Sequence, residues 1–282
     1  PAVIHGADGV SRKSAEPGHS SHYISFTRLA VSGKVRVGEE THSVSGSAWM
    51  DHEFFSVGLA ADQVGWDWMS IQLENNTELM LYRLRRRDGT ADPFSSGTYV
   101  DAGGRAHHLG GEDFVMKPDG VWRSPETGGR YPLQWKISVP SLRIVLECRT
   151  DLNPQEIVSR RQVGPNYWEG AVTFNGLVGY ERIRGVGYLE MTGYDKPVAL
   201  GAVKPEQPSA LGTERGQQRK AATRIRRGRG SPRSAPTGAI HLHPDRLGTK
   251  LGMSRDHHLV TAAVNEPVIT VLGADFEFGS FR

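Results

Sequence analysis

The chain has 282 residues, 37% hydrophobic and 23% charged, enough for one large or two ordinary globular domains with some unpacked chain. No run of eighteen apolar residues is present, so no stretch reads as a membrane-spanning helix, and a single cysteine excludes an internal disulfide or a Cys-rich zinc site. The net charge of +3 is uneven: Lys204 to Arg233 carries nine Lys or Arg against two Glu, a local +7, which leaves −4 for the remainder. The sequence opens at Pro1 with no basic-then-apolar leader.

From residue 1 to about 200, short apolar runs alternate with Gly, Pro, Asn or Asp, and no long stretch shows helical periodicity. HYISFTRLAVSG and KVRVG read as the first strands. SAWMDHEF and GWDWMSIQL follow. IQLENNTELMLYRLRRRDG predicts a hairpin turning at Glu74 to Thr77, with a second turn at Asp88-Gly89. Asp101 to Arg105 is a turn between strands, and further strands are expected at SGTYVDAGG, YPLQWKISVP, LRIVLECRT, YWEGAVTFNG and GVGYLEMTGY. Many short strands at even spacing predict an all-β antiparallel sandwich or barrel. From Ala202 the composition shifts to Pro, Gly, Ser and Arg, with too few large apolar residues to offset chain entropy, which predicts a disordered basic segment. VNEPVITVLGADFEFGSFR, near the end, has the pattern of one more strand or two. Arg226, Arg227 and Arg229 have no interleaved aromatics for base stacking, so no specific nucleic-acid function is expected.

Period-2 alternation lets each strand be read by face. Trp66, Trp68, Ser70 and Gln72 share one side of their strand, opposite Asp67, Met69, Ile71 and Leu73. Trp49, Asp51 and Glu53 share a side, opposed by Met50, His52 and Phe54. Tyr167 lies with Glu169, and Tyr188 with Glu190, Thr192 and Tyr194. Carboxylates thus recur on aromatic faces, as in an interior built for a greasy ligand with one charged reaction centre. Aromatic faces stabilise a cation, and a carboxylic acid among them keeps its proton. Structural ion pairs or an outward-facing polar half explain the same pattern. Cys148 alternates with Leu142, Ile144 and Leu146 and reads as a buried strand residue. His107-His108, His241-x-His243 and His257-His258 lack a converging Asp, Glu or Cys, so no metal site is expected. No GxSxG elbow, P-loop, dinucleotide fingerprint or HExxH is present.

WMDHEF, GWDWMSIQL, ELMLYRLRRRDG, GTYVD, YWEG and GYLEMTGYD, in this order, resemble the carotenoid 1,2-hydratase (hydroxyneurosporene synthase)-like family, also called AttH-like. The motifs run from about His5 to Gly201, roughly 70% of the chain. The resemblance implies a pair of lipocalin-like β-barrels, with this chain holding the second: 1–30 as inter-domain segment and remnant of the first barrel, 31–201 as the barrel domain, 202–240 as the disordered segment, and 241–282 as a tail with a strand. It also implies acid-initiated addition of water to an isolated double bond of an isoprenoid or polyene, with no cofactor. Other members of the family are pericyclase-like enzymes, or exported binders of lipid and other hydrophobic molecules that accompany a permease. A periplasmic or membrane-associated location would follow from such an export signal. By position in the matching motifs, Asp51 and His52 are the first acid/base candidates, followed by Asp67, Glu169 and Glu190. Trp49, Trp66, Trp68, Tyr82, Tyr167, Trp168 and Tyr194 are the candidate ligand-binding aromatics.

Overall fold

The computed structural model of the chain describes residues 1–55, 57–159, 164–198, 240–242, 258–264 and 268–272. The chain begins in a small sheet built on one long hairpin. Strands β1 (Val3–Ile4) and β2 (Ser11–Arg12) pair with β3 (Ser20–Val37), which turns at Gly38 (φ +60°) into β4 (Glu40–Phe55). A register shift between Phe26 and Leu29 interrupts the ladder and bends the hairpin there. β3 runs unbroken through residues 30 and 31, so the hairpin belongs to one sheet on both sides of that position.

The second sheet has ten strands: β5 (Gln63–Leu73), β6 (Glu78–Arg86), β7 (Ser96–Val100), β8 (Ala106–Gly110), β9 (Val115–Arg123), β10 (Arg130–Val139), β11 (Ile144–Arg149), β12 (Glu156–Ile157), β13 (Tyr167–Val178) and β14 (Glu181–Thr192). β5 to β8 form one meander and β9 to β14 another, and β14 pairs antiparallel with β5 to join them. The sheet curls on itself as an antiparallel, lipocalin-like half-barrel. The hairpin expected at Glu74 to Thr77 is present: Asn76 takes φ +60° and the Leu73 N–H donates to the Thr77 carbonyl at 2.9 Å. Besides the short β8 and β12, the sequence reading missed β9, because Lys117-Pro118-Asp119-Gly120 has the composition of a turn. It closes one edge of the sheet, where proline costs no ladder bond on its open side.

The curled sheet wraps an apolar core. Met69, Ile71, Leu73, Leu81, Tyr131, Trp135, Leu146, Trp168 and Phe174 fill its inner face, each no more than 1% exposed. Cys148 lies among them, and burial pushes its thiol well up.

Three further strands, β15 (Ile240–Leu242), β16 (His258–Val264) and β17 (Val268–Leu272), join the small sheet and not the barrel: β15 runs parallel to β3, and β16 pairs with β4 from Gly46 to His52. Most of the segment expected to be disordered, residues 202–239, lies outside the described residues. No helix among the described residues is long and apolar enough to cross a membrane.

Candidate active site in the seam between the sheets

The small sheet packs on the outside of the barrel, over β5, β6, β7 and β14. Gln72 ties the two together: its amide donates to the Thr27 carbonyl at 2.6 Å and its carbonyl accepts from Ser47 at 2.8 Å. Arg28 reaches across to Glu78 at 2.5 Å and to the Leu73 carbonyl at 3.0 Å. Between these anchors and the far end of β5 lies a second buried cluster, made of Tyr23, Trp49, Trp68, Met80, Tyr82, Leu84 and Tyr188, with Trp66 at its margin. The aromatic and acidic face of the sequence is therefore not the barrel interior. It is the outer wall, covered by the β3–β4 hairpin.

Asp51 sits at the centre of the seam. One oxygen accepts from Ser25 and from the Trp49 indole at 2.7 Å, and the other from the Tyr23 hydroxyl at 2.7 Å. Tyr23 accepts in turn from the Trp68 indole at 2.9 Å, and the Trp49 and Trp68 rings meet edge to face at 6.4 Å. Behind Ser25 stands His5, 2.7 Å from the Ser25 hydroxyl and 2.8 Å from that of Thr98. Every donor to Asp51 is neutral. Burial, which disfavours the anion, outweighs these hydrogen bonds and lifts the Asp51 carboxyl to about 6. Burial, helped by the Lys13 charge, lowers His5 to about 3, so its imidazole is neutral at ordinary pH.

Two more carboxyl groups flank this centre. Glu169 and Glu190 are directly opposed across the β13–β14 ladder and share a hydrogen bond. The Trp66 indole donates to Glu190, the Tyr188 hydroxyl lies 3.2 Å from Glu169, and Tyr167 meets Trp66 edge to face at 6.2 Å. Burial raises Glu169 to about 7 and Glu190 well above the usual carboxylate range, the Glu169 charge adding to the latter. Both acids are thus pushed toward their protonated forms beside aromatic rings. Among the described residues, one ammonium balances the acids of the seam. Lys13 contacts Glu53 at 2.9 Å and lies 3.9 Å over the Tyr82 ring; although burial favours the neutral amine, these two partners raise its pKa.

The candidates from sequence thus divide. Asp51, Glu169, Glu190, Trp49, Trp66, Trp68, Tyr82 and Tyr167 line one seam. His52 lies on the opposite face of β4 from Asp51, its ring 5.4 Å from Phe54, as alternation requires. Asp67 lies on the inner face of β5, fully buried, with Arg83 at 2.8 Å, Arg85 at 3.6 Å and the Tyr194 hydroxyl at 2.8 Å. That is an internal ion pair and includes Tyr194. Trp168 belongs to the barrel core, its indole donating to the Asn153 carbonyl at 2.7 Å. Missing from the sequence reading were His5, Lys13, Tyr23 and Ser25, all within the segment read as a connection. The one signal for Tyr23 and Ser25 was their alternation in HYISF; nothing local marked His5 or Lys13. Among the described residues no three His, Cys, Asp or Glu are grouped as a metal site.

Comparison with known families decides the kinship: the AttH-like family model matches residues 1–194. The chain belongs to the AttH-like family. Its structure is similar to the crystal structure of an AttH from Nitrosomonas europaea, at 32% identity and a TM-score of 0.62, over 69% of this chain and 58% of that one. It is also similar to kievitone hydratase from Nectria haematococca, at 18% identity and a TM-score of 0.57, over the same shares, a likeness of fold alone. This AttH-like chain therefore spans 58% of the length of either solved relative. A comparison with curated proteins finds no match. The family match ends at residue 194, two residues beyond β14, and it includes both the hairpin and the barrel that form the seam.

Proposed function

We propose that this AttH-like protein is an acid-catalysed hydratase that adds water to an isolated, trisubstituted double bond of an isoprenoid or polyene, and that the Glu169–Glu190 pair moves the protons. The observation that carries the reading is a directly opposed pair of buried-edge carboxyl groups set against Trp66, Tyr167 and Tyr188. A site of this kind holds a proton donor and an acceptor at the same pH. Protonated Glu190 gives its proton to the less substituted alkene carbon, forming a C–H bond and a tertiary cation. The faces of Trp66 and Tyr167 stabilise that cation. Water adds to the cationic carbon while ionised Glu169 takes the proton it releases. Transfer within the pair returns the proton to Glu190, so the net change is addition of H and OH with no oxidation. Asp51 is a positioning residue in this scheme: it fixes Tyr23 and Trp49, and through Tyr23 it fixes Trp68. The shared fold with kievitone hydratase, a protein named for a hydration, is consistent with the proposal and does not name a substrate.

The test is incubation with lycopene or squalene in water enriched in oxygen-18, with mass spectrometry of the extracted products and tryptophan fluorescence to follow binding. The expected result is a labelled tertiary alcohol from the wild type and none from Glu190→Gln, with binding retained in both. Binding without labelled product in the wild type would overturn catalysis and make the seam a site that only holds hydrophobic ligands.

A further inference from the structure

On the opposite face of the same sheet, where β6 meets β9 and β10, lies an open groove of about 470 Å³. Its wall is arginine-rich: Arg83, Arg85, Arg86 and Arg87 come from the end of β6 and the residue after it, and Arg130 from the start of β10. Their charges are unequally met. Arg83 is paired with Asp67 at 2.8 Å, and Arg86 with Asp62 at 3.3 Å and Asp92 at 3.0 Å. Asp119, also in the wall, accepts from the backbone N–H of Gly120. Among the described residues no carboxylate lies within ion-pair distance of Arg87 or Arg130.

Arg85 is the telling member. Its side chain is 9% exposed, and its guanidinium stacks 3.8 Å over the Tyr194 ring and donates through Nη2 to the Thr192 carbonyl. Its Nε lies 3.6 Å from Asp67 and is buried without a hydrogen-bond partner. Asp67 is thus the counter-charge that holds this buried guanidinium at the wall of the groove. Val121 and Pro132 supply an apolar wall beside the guanidiniums.

We propose that this groove binds a phosphate-type oxyanion, with Arg85 as the buried anchor and Arg87 and Arg130 closing on it from the rim. The site is separate from the Glu169–Glu190 seam, being on the other side of the sheet, and it stands or falls independently of the hydratase reading. The shared chemistry has two sources: a free phosphate, or the phosphate head of an amphiphile whose chain lies along Val121 and Pro132.

Isothermal titration calorimetry of the full chain with inorganic phosphate and with dodecyl phosphate, below its micelle concentration, separates the two. Tighter binding of dodecyl phosphate assigns the groove to an amphiphile head; equal binding assigns it to the free anion. In either case Arg87→Ala/Arg130→Ala, which removes two exposed side chains, should weaken binding roughly tenfold or more and flatten its salt dependence. Arg85→Lys keeps a cation near Asp67 and loses the fork, and should weaken binding further at a melting temperature recorded alongside. No heat of binding from either probe, or unchanged affinity in the double variant, would overturn the proposal.

Discussion

The two faces of β5 are almost equally buried and behave differently. On the inner face Asp67 meets Arg83 and Arg85, and beyond it Met69, Ile71 and Leu73 pack into the barrel core. On the outer face Trp66 donates to Glu190, and Trp68 joins Tyr23, Trp49 and Asp51 in a web of neutral donors and buried acids. Burial alone does not set the chemistry of a carboxyl group. A guanidinium within 3 Å matches the charge of Asp67, whereas Asp51 has only hydroxyls and an indole, and Glu169 has another acid. Taking an unmatched charge out of water is the larger effect, so the outer-face acids hold their protons more tightly than free carboxyl groups do.

The largest expected effects separate the two faces. Glu190→Gln or Glu169→Gln should lower hydration by about 10²- to 10⁴-fold, the usual worth of a general acid or base. Stability should hold or rise slightly in urea unfolding, because a buried acid with no cationic partner is removed. A loss of activity that tracked unfolding would erase the contrast. Asp67→Asn should do the reverse. It leaves Arg83 and Arg85 without their buried counter-charge and should cost about 3–5 kcal/mol in urea unfolding. The folded fraction should hydrate at the wild-type rate.

Next in size is the pH dependence of stability. A carboxyl group whose folded pKa is raised binds its proton more tightly when folded. Its contribution is fully present below the unfolded value, near 4, and is lost as pH rises through the folded value. For Asp51, lifted from 3.8 to about 6, the loss falls between these two values and amounts to roughly 3 kcal/mol. Glu169, raised to about 7, extends the same trend upward. Asp88 and Asp101, held low by hydrogen bonds from Thr90 and His107, act in the opposite sense but are solvent-exposed and contribute little. The urea midpoint should therefore fall between about pH 4 and pH 7, and Asp51→Asn should flatten the lower part of that slope. An unchanged slope in the variant would move the effect to the glutamates.

How much of this was legible in the sequence follows from what is local. Alternation in GWDWMSIQL separated Trp66 and Trp68 from Asp67 correctly, and alternation in SAWMDHEF put Asp51 with Trp49 and apart from His52. The period of a strand gives two faces and does not say which one is inside. Once the barrel core was supplied by β10, β11 and β13, the Trp-rich face of β5 was left to turn outward. The seam also depends on contacts distant along the chain. His5 and Thr98 are 93 residues apart, and Trp66 and Glu190 are 124 apart. Nothing in HGADG or SRKSAE, read by itself, marks His5 or Lys13 as a wall of that site.

The smallest predicted effect is the sharpest test of how the seam is held. Tyr23 donates to Asp51 and accepts from Trp68, so Tyr23→Phe removes one hydrogen bond from each neighbour and leaves the ring in place. The stability cost should be about 1–2 kcal/mol near neutral pH. The donated bond favours the ionised carboxylate, so its loss should move Asp51 above about 6, and a carbon-13 NMR titration of the Asp51 carboxyl would show the midpoint move upward. The variant should consequently lose more stability at pH 8 than at pH 5, because the donor is worth most when Asp51 is charged. An Asp51 midpoint that stayed or fell would mean that burial by the β3–β4 hairpin, and not the neutral donors, is the variable that sets this group.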